Sequence, residues 1–248
     1  MNLTILGTAS PYPQPDRPCS GYLLEAGGAK VWVDAGPGTM AELLRHHSLA
    51  ELDAIWLSHL HADHTIDLLN AFYALAFGLL PTREPLAVYA PAGLAGRLAG
   101  FFAQPDAEFI NSIFELRDLS DGLQVSIEGL TLTSRAVEHG TEAYGLRAVA
   151  DGHTLAYSGD CAPCPALDEL AAGADVLLCE ADVDAPGDPH VHHTPEEAGA
   201  LARRTGVGRL VVTHVGPTLA AEQATARAAA VFGGLTLTAY VGDVVQVS

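Results

Sequence analysis

The chain predicts an α/β protein arranged as an αββα sandwich, two mixed β-sheets packed face to face and flanked by helices. Three observations lead there. Strand patterns occur in both halves of the 248 residues, with helical patterns between them. The last third alternates helix and strand strictly. Apolar runs continue along the full length, with 49% hydrophobic and 17% charged residues, so a single domain over residues 1–248 is expected, without a disordered segment.

Leu3–Leu6, Tyr22–Glu25 and Val31–Asp34 read as short β-branched or aromatic-rich strands bounded by Gly or Pro, expected to pair as antiparallel neighbours. A helix over Thr39–His46 precedes a strand at Ala54–Leu57. The end of that strand delivers a histidine-rich segment into a loop, and a helix opens near Asp63. The apolar stretch Ile66–Leu80 contains Asp67 and Asn70 and falls short of the roughly 20 residues needed to span a bilayer, so it reads as a buried helix. Its Phe72, Tyr73 and Phe77 are assigned to the core; covering a substrate mouth or meeting a second subunit are the other uses they admit.

A strand at Leu86–Tyr89 and a helix over Ala92–Phe102 follow, then strands around Val125–Ile127, Leu130–Ala136, Tyr144–Ala148 and Thr154–Tyr157. No element is assigned between Phe102 and Val125. The remainder reads as helix Cys164–Ala172, strand Val176–Cys179, helix Pro195–Thr205, strand Arg209–Thr213, helix Thr218–Phe232 and terminal strands. No repeat of fixed short period occurs, and a structural similarity between halves split near Asp118–Gly122 is not decided by the sequence.

The formal charge of −18 excludes function classes more than it assigns one. Its twelve basic residues, Lys30 and arginines, form no stripe able to grip phosphates, so a long nucleic acid is not expected as a partner. The N-terminus runs directly into a strand pattern without a basic segment and apolar stretch, so no export signal is read and a cytoplasmic location is expected. No membrane partner is expected either. The four cysteines, Cys19, Cys161, Cys164 and Cys179, are too few and scattered for a disulfide framework. Cys161 and Cys164 form a C-x-x-C pair, compatible with redox chemistry or another metal. No second such pair completes a four-cysteine zinc site, and incidental placement is the plainer reading.

The chemistry concentrates in His59-Leu60-His61-Ala62-Asp63-His64. His59 and His61 alternate along an extended segment, so both imidazoles can point one way, while Asp63 and His64 sit at the turn into a helix. Imidazole nitrogen and carboxylate oxygen suit zinc and similar divalent ions. A single histidine is ordinarily a surface or core residue. Four candidate ligands within one short segment have no good structural purpose, and two adjacent metal sites are expected.

This segment resembles the H-x-H-x-D-H signature of metallo-β-lactamase-fold hydrolases. Ser158-Gly159-Asp160 looks like the family's metal-bridging aspartate, and Asp34-Ala35-Gly36-Pro37-Gly38 is similar to its Asp-x-Gly turn. Glu138-His139-Gly140 and Thr213-His214 supply candidate histidines, one for each metal. Leu6-Gly7-Thr8 and His192-His193-Thr194-Pro195-Glu196-Glu197-Ala198 resemble the ribonuclease Z-like branch, and the motifs together run from end to end of the chain.

The resemblance implies that His59, His61 and His139 hold one metal and Asp63, His64 and His214 the other, with Asp160 shared. Asp34 is expected to orient a ligand histidine or to serve as a turn residue. Asp63, Asp160 and His192 are the catalytic candidates. His192 takes the position of the branch's H-x-T histidine, implicated in leaving-group protonation, and His193 is its neighbour and rival for that role. Zinc is implied, although the same donors accept Mn and Fe, and a homodimer is implied as well.

Ribonuclease Z carries its tRNA-gripping arm as an insertion between the third histidine and the bridging aspartate. Here that span, His139 to Asp160, holds two strand patterns joined by a tight Asp151-Gly152 turn. Two adjacent divalent ions lower the pKa of a water, polarise a phosphoryl oxygen and stabilise a leaving alkoxide. Asp160 would then hydrogen-bond the attacking oxygen and His192 protonate the departing one. The expected substrate is a small phosphodiester, such as a cyclic nucleotide or related cyclic phosphate. Processing of tRNA 3′ ends is the runner-up, and lactone or thioester hydrolysis a third reading, because the same chemistry attacks carbonyl carbon.

Overall fold

The computed structural model describes residues 1–80, 84–102 and 107–248. The first half contains β1 (Asn2–Gly7), β2 (Gly21–Ala26), β3 (Ala29–Val33), α1 (Thr39–Leu43), a 3₁₀ turn at Leu49–Glu51, β4 (Ala54–Trp56), α2 (Ala62–Thr65), α3 (Asp67–Phe77), β5 (Leu86–Ala90), α4 (Leu94–Phe102), α5 (Ala107–Asn111) and β6 (Phe114–Asp118). The second contains β7 (Gln124–Ile127), β8 (Leu130–Ala136), β9 (Tyr144–Ala150), β10 (His153–Tyr157), α6 (Pro165–Ala171), β11 (Val176–Glu180), α7 (Pro195–Thr205), β12 (Arg209–Thr213), α8 (Ala221–Phe232), β13 (Leu235–Thr238) and β14 (Val244–Gln246).

These strands form two seven-stranded mixed sheets, ordered β14-β1-β2-β3-β4-β5-β6 and β7-β8-β9-β10-β11-β12-β13. Each is antiparallel through its first four strands and parallel thereafter. The halves therefore repeat one topology, divided between β6 and β7. The first sheet takes its opening strand, β14, from the far end of the chain.

Strand alternation sorts the apolar residues into layers. Tyr22, Leu24, Val31 and Val33 meet Leu155, Tyr157, Val176 and Leu178 in the core between the sheets. Leu23, Trp32 and Ile55 face the opposite way, against helical residues such as Leu68 and Phe72. On the other sheet Ala156, Leu177 and Cys179 do the same against residues such as Leu167, Leu201 and Ala228. This is the αββα sandwich, with both faces of its central parallel strands covered.

Most element boundaries follow the sequence signals. α7 starts on a capping box between Thr194 and Glu197, with proline in its first turn, and stops at Gly206 in the left-handed region. α1 ends before the expected His46, because Arg45 and His46 donate to carbonyls three residues back and tighten the last turn. α5 and β6 lie in the stretch left without an element. α5 is too short for helical periodicity to show, and β6 is a sheet edge whose Glu115, Arg117 and Asp118 dilute its apolar pattern.

The core assignment holds for Phe72, which is buried, but not for Tyr73 and Phe77, which are more than half exposed. No helix among the described residues is long and apolar enough to cross a membrane.

Candidate metal centre

The two sheets are sewn together at one end. Tyr144 at the start of β9 donates its amide to Ser58 O just past β4, at 2.9 Å, and His59 bridges Ala143. Around this seam the strand ends release the polar residues that the sequence marks. Asp34 follows β3, His59 to His64 follow β4, His139 follows β8, Asp160 follows β10 and His214 follows β12. Asp34 and His214 hold positive φ angles of 56° and 46°, uncommon for residues with a side chain and found where function over-determines the backbone. Gly36 permits close approach here, since a Cβ would lie 2.1 Å from the carbonyl oxygen of Asp63.

The side chains gather into two nests. In one, His59 Nε2 lies 3.0 Å from His61 Nδ1, which lies 3.2 Å from His139 Nε2. In the other, His64 Nε2 is 3.6 Å from Asp63 Oδ2 and 3.3 Å from Asp160 Oδ2, and His214 Nε2 is 3.1 Å from Asp160 Oδ2. Asp160 Oδ2 also lies 3.8 Å from His59 Nε2, which places it between the nests and nearer the second. All seven residues proposed from sequence as ligands are thus brought together.

The arrangement fits divalent ions on three counts. A tetrahedral ion with bonds of about 2.0–2.1 Å to nitrogen holds its donors roughly 3.3 Å apart, close to most of these separations. Among the described residues, His64 Nε2, His214 Nε2 and Asp160 Oδ1 are buried side-chain atoms without a hydrogen-bond partner, an expensive state unless something else engages them. The far ring nitrogens of His59, His64, His139 and His214 are anchored so that the near ones face the nests.

Asp34 supplies one anchor. Its Oδ2 contacts His64 Nδ1 at 2.8 Å and accepts from Ser58 Oγ at 2.8 Å and Tyr157 OH at 2.7 Å, while Oδ1 accepts the Ser58 amide at 2.7 Å. Ser20 Oγ lies 2.7 Å from His214 Nδ1, Ser58 Oγ 3.0 Å from His59 Nδ1, and Val191 O 3.0 Å from His139 Nδ1. Asp34 therefore orients a histidine, as its turn motif implied. Ser20, Ser58 and Tyr157 carried no sequence signal, because isolated serines and core tyrosines are common.

Electrostatics separate the nests. Burial, and for His59 the charge of His64, holds His59, His61 and His139 below the ordinary histidine value and so in the neutral, metal-binding form. Burial also works against charge on His64 and His214, but the adjacent Asp160 carboxylate overrides it and raises both. Asp160 is held well below its ordinary value by those two imidazoles despite complete burial. The second nest thus pairs Asp160 with His64 and His214 as mutually stabilising opposite charges.

His192 stands over the rim between the nests, its ring centre 5.0 Å from that of His139 and 6.3 Å from that of His214. Its Nδ1 lies 3.1 Å from Glu180 Oε1 and its Nε2 3.9 Å from Asp182 Oδ2. Burial would lower His192, yet Glu180 with Asp160 and Asp182 raises it to about 9. Burial raises Glu180 itself to about 7, with His192 opposing. The two shifts together favour the proton on the His192 side of the pair. His193 points away and is fully buried, with Nδ1 2.6 Å from Cys161 O.

Glu180 is the functional residue missed in the sequence. A signal existed: a carboxylate closing the otherwise apolar strand Val176–Glu180 has no place in a core unless something charged meets it.

A family profile described as a Beta-lactamase superfamily domain matches residues 29–215. The chain belongs to the β-lactamase superfamily. An uncharacterized protein of Mycobacterium tuberculosis is 36% identical over 240 residues, covering 94% of this chain and 88% of the relative. A protein named Ribonuclease Z from Mycobacterium marinum is 34% identical over 265 residues, covering 94% of each.

The crystal structure of the metallo-β-lactamase fold protein YhfI from Bacillus subtilis superposes with a TM-score of 0.87 at 23% identity, over 99% of both chains. That of a diphosphatase from the PhnP family gives 0.78 at 22%, over 100% of this chain and 98% of the other. At such identities these likenesses establish the fold. The chain is a ribonuclease Z-like superfamily member with the metallo-β-lactamase fold, and a metal-dependent hydrolase.

Proposed function

We propose that this superfamily member is a phosphodiesterase acting on a small phosphodiester, such as a cyclic nucleotide. The observation that carries the reading is the His192–Glu180 pair at 3.1 Å on the rim of the two nests. Hydrolysis of a phosphodiester with an alkoxide leaving group needs a proton donor there.

His59, His61 and His139 would hold one divalent ion, and Asp63, His64 and His214 the other, with Asp160 between. Zinc suits this set of imidazoles and carboxylates. When bound, the ions supply Lewis acidity toward a phosphoryl oxygen and activation of water. Asp160 orients the attacking water as a hydrogen-bond acceptor. Glu180 holds Nδ1–H of His192, which leaves Nε2–H free to donate. As water oxygen bonds to phosphorus and the ester P–O bond breaks, Nε2 passes its proton to the departing oxygen. The proton released by the water restores His192, and the products are a phosphomonoester and a hydroxyl.

Two features favour a small substrate over RNA. The segment from His139 to Asp160 is occupied by a short loop, β9, the Asp151-Gly152 turn and β10, with no room for an arm. The net charge of −18 repels a polyanion. Identity to a protein named Ribonuclease Z favours the second reading, tRNA 3′ processing.

The test is a panel of substrates offered to protein reconstituted with zinc or manganese: cyclic AMP, cyclic GMP, bis(p-nitrophenyl) phosphate, precursor tRNA, a lactone and a thioester. Turnover of the cyclic nucleotides, abolished by a chelator, is expected. Turnover of the lactone or thioester with none of the phosphodiesters would sink the proposal. Salt-sensitive cleavage of precursor tRNA at low concentration would install the second reading.

A further inference from the structure

Beside the metal centre lies a group of buried sulfurs that the hydrolytic mechanism does not use. Cys161 directly follows Asp160, and Cys164 is the residue on which α6 begins. Both are free thiols, as are Cys19 and Cys179. Cys161 and Cys164 pack into the same buried cluster around α6, and each thiol shifts the other's titration. Cys161 Sγ further contacts Ser158 O at 3.6 Å and lies 4.0 Å from His193 Nδ1. Cys161 is completely enclosed and Cys164 nearly so, with 6% of its surface exposed.

The backbone around Cys161 is tied to the proposed chemistry. Its amide donates to Glu180 Oε1 at 2.7 Å, the same oxygen that engages His192. Its carbonyl oxygen is held by His193 at 2.6 Å, and the Ala162 amide donates to Glu138 O beside His139. Movement at Cys161 thus reaches Asp160, the Glu180–His192 pair and the residue before His139.

We infer that Cys161 and Cys164 are a redox-active dithiol, a modification site at which peroxide-class oxidants close an intramolecular disulfide that reaches the hydrolytic centre through the Cys161 backbone. The spacing is right for closure: two thiols three residues apart, with the chain turning between them into a helix and both side chains packed into one buried cluster. The neighbouring Cys161 thiol, against burial, holds Cys164 down at about 6, so the less enclosed thiol is also the more ionised. Burial with neighbouring anions holds Cys19 and Cys179 up, which leaves them inert.

The chemistry balances with hydrogen peroxide as the oxidant. Cys164 thiolate attacks a peroxide oxygen, the O–O bond breaks, and sulfenic acid forms as the departing hydroxide takes a proton to become water. Cys161 sulfur then attacks the Cys164 sulfur, the S–O bond breaks, and the second water leaves with the Cys161 proton. Two thiols and one peroxide become one disulfide and two waters. A dithiol reductant reverses the step.

The disulfide does not depend on what the enzyme hydrolyses. Only its effect on turnover rests on the phosphodiesterase reading, so the two are measured apart. Full-length, metal-loaded protein is treated with stoichiometric hydrogen peroxide and examined by intact mass and thiol alkylation.

The expected result is loss of two hydrogens and of two alkylatable thiols, unchanged in Cys179→Ser and abolished in Cys164→Ser and Cys164→Ala, both of which unfold cooperatively like the parent. The same samples assayed on bis(p-nitrophenyl) phosphate should lose roughly tenfold of their turnover, the scale of disturbing a partner just outside a metal site, and regain it with dithiothreitol. Absence of the mass change, or its persistence in both Cys164 variants, overturns the dithiol. A clean disulfide with unaltered metal content and unaltered turnover overturns the coupling.

Discussion

The two nests use similar donors in opposite surroundings. Asp63, His64, Asp160 and His214 are all buried, while His61 is exposed and His139 partly so, with only His59 of that set enclosed. The buried nest must balance its charge internally, which it does through Asp160 against two imidazoles, with Asp34 and Ser20 fixing the outer ring nitrogens. The open nest consists of neutral imidazoles and faces the rim where His192 stands. On the proposed reading the closed side would retain an ion and the open side admit a substrate. His192 and His193 repeat the contrast in adjacent residues, one raised to about 9 by carboxylates and the other lowered by burial to about 4.

The largest expected break comes from His64→Ala. Loss of a ligand in the buried nest should exceed the effect of losing a supporting partner, so turnover should fall by more than about 100-fold and bound metal should drop. Elemental analysis of purified protein checks it; full metal occupancy would deny the nest its retaining role.

Next is His192→Ala, which should retain metal and lose about 10²–10⁴-fold on a cyclic nucleotide. The deficit should shrink on bis(p-nitrophenyl) phosphate, whose nitrophenolate departs without a proton. Equal losses on both substrates would remove His192 as the donor.

Asp34→Asn sharpens the comparison from outside the ligand set. It should weaken metal binding by roughly 10–100-fold, read as the chelator concentration that strips the protein. The ion of the buried nest should be the one affected. If His59→Ala and Asp34→Asn release the same ion, the two nests are not independent.

The smallest effect is expected from His193→Gln and is a pH effect. Because the folded-state value of about 4 lies below the ordinary 6.5, neutral His193 contributes its full stability above pH 6.5. That contribution is lost as pH falls from 6.5 towards 4, since the unfolded chain binds a proton that the folded chain refuses, at no more than about 1.4 kcal/mol per pH unit. Urea unfolding at pH 7 and pH 5 should show a shallower acid loss in the variant. An identical loss would mean that His193 is not protonated on unfolding in that window.

Residue patterns announced the layers and the candidate ligands for a common reason, which is that both are written locally. Strand alternation reveals which residues share a face, and His59 to His64 are crowded into one segment whose chemistry has no structural use. The α7 boundaries were legible because capping chemistry is confined to a few adjacent residues. β6 was not, since an edge strand tolerates charge on nearly every residue. Glu180 was illegible as a partner of His192 because twelve positions and a chain reversal separate them.

By itself the sequence determined the αββα class, the cluster at His59 and the residues fit to complete it, because hydrophobic period and donor chemistry are properties of short segments. Only the tertiary structure decided that the halves share one topology, with β14 crossing from the C-terminus to complete the first sheet. It alone decided that one nest is closed and the other open, that His192 rather than His193 faces the nests, and that Cys161 abuts the Glu180 carboxylate. These are matters of burial and direction, set by contacts between residues far apart in the chain, and a hydrogen-bond partner or a low-dielectric wall has no signature in the residue it acts upon.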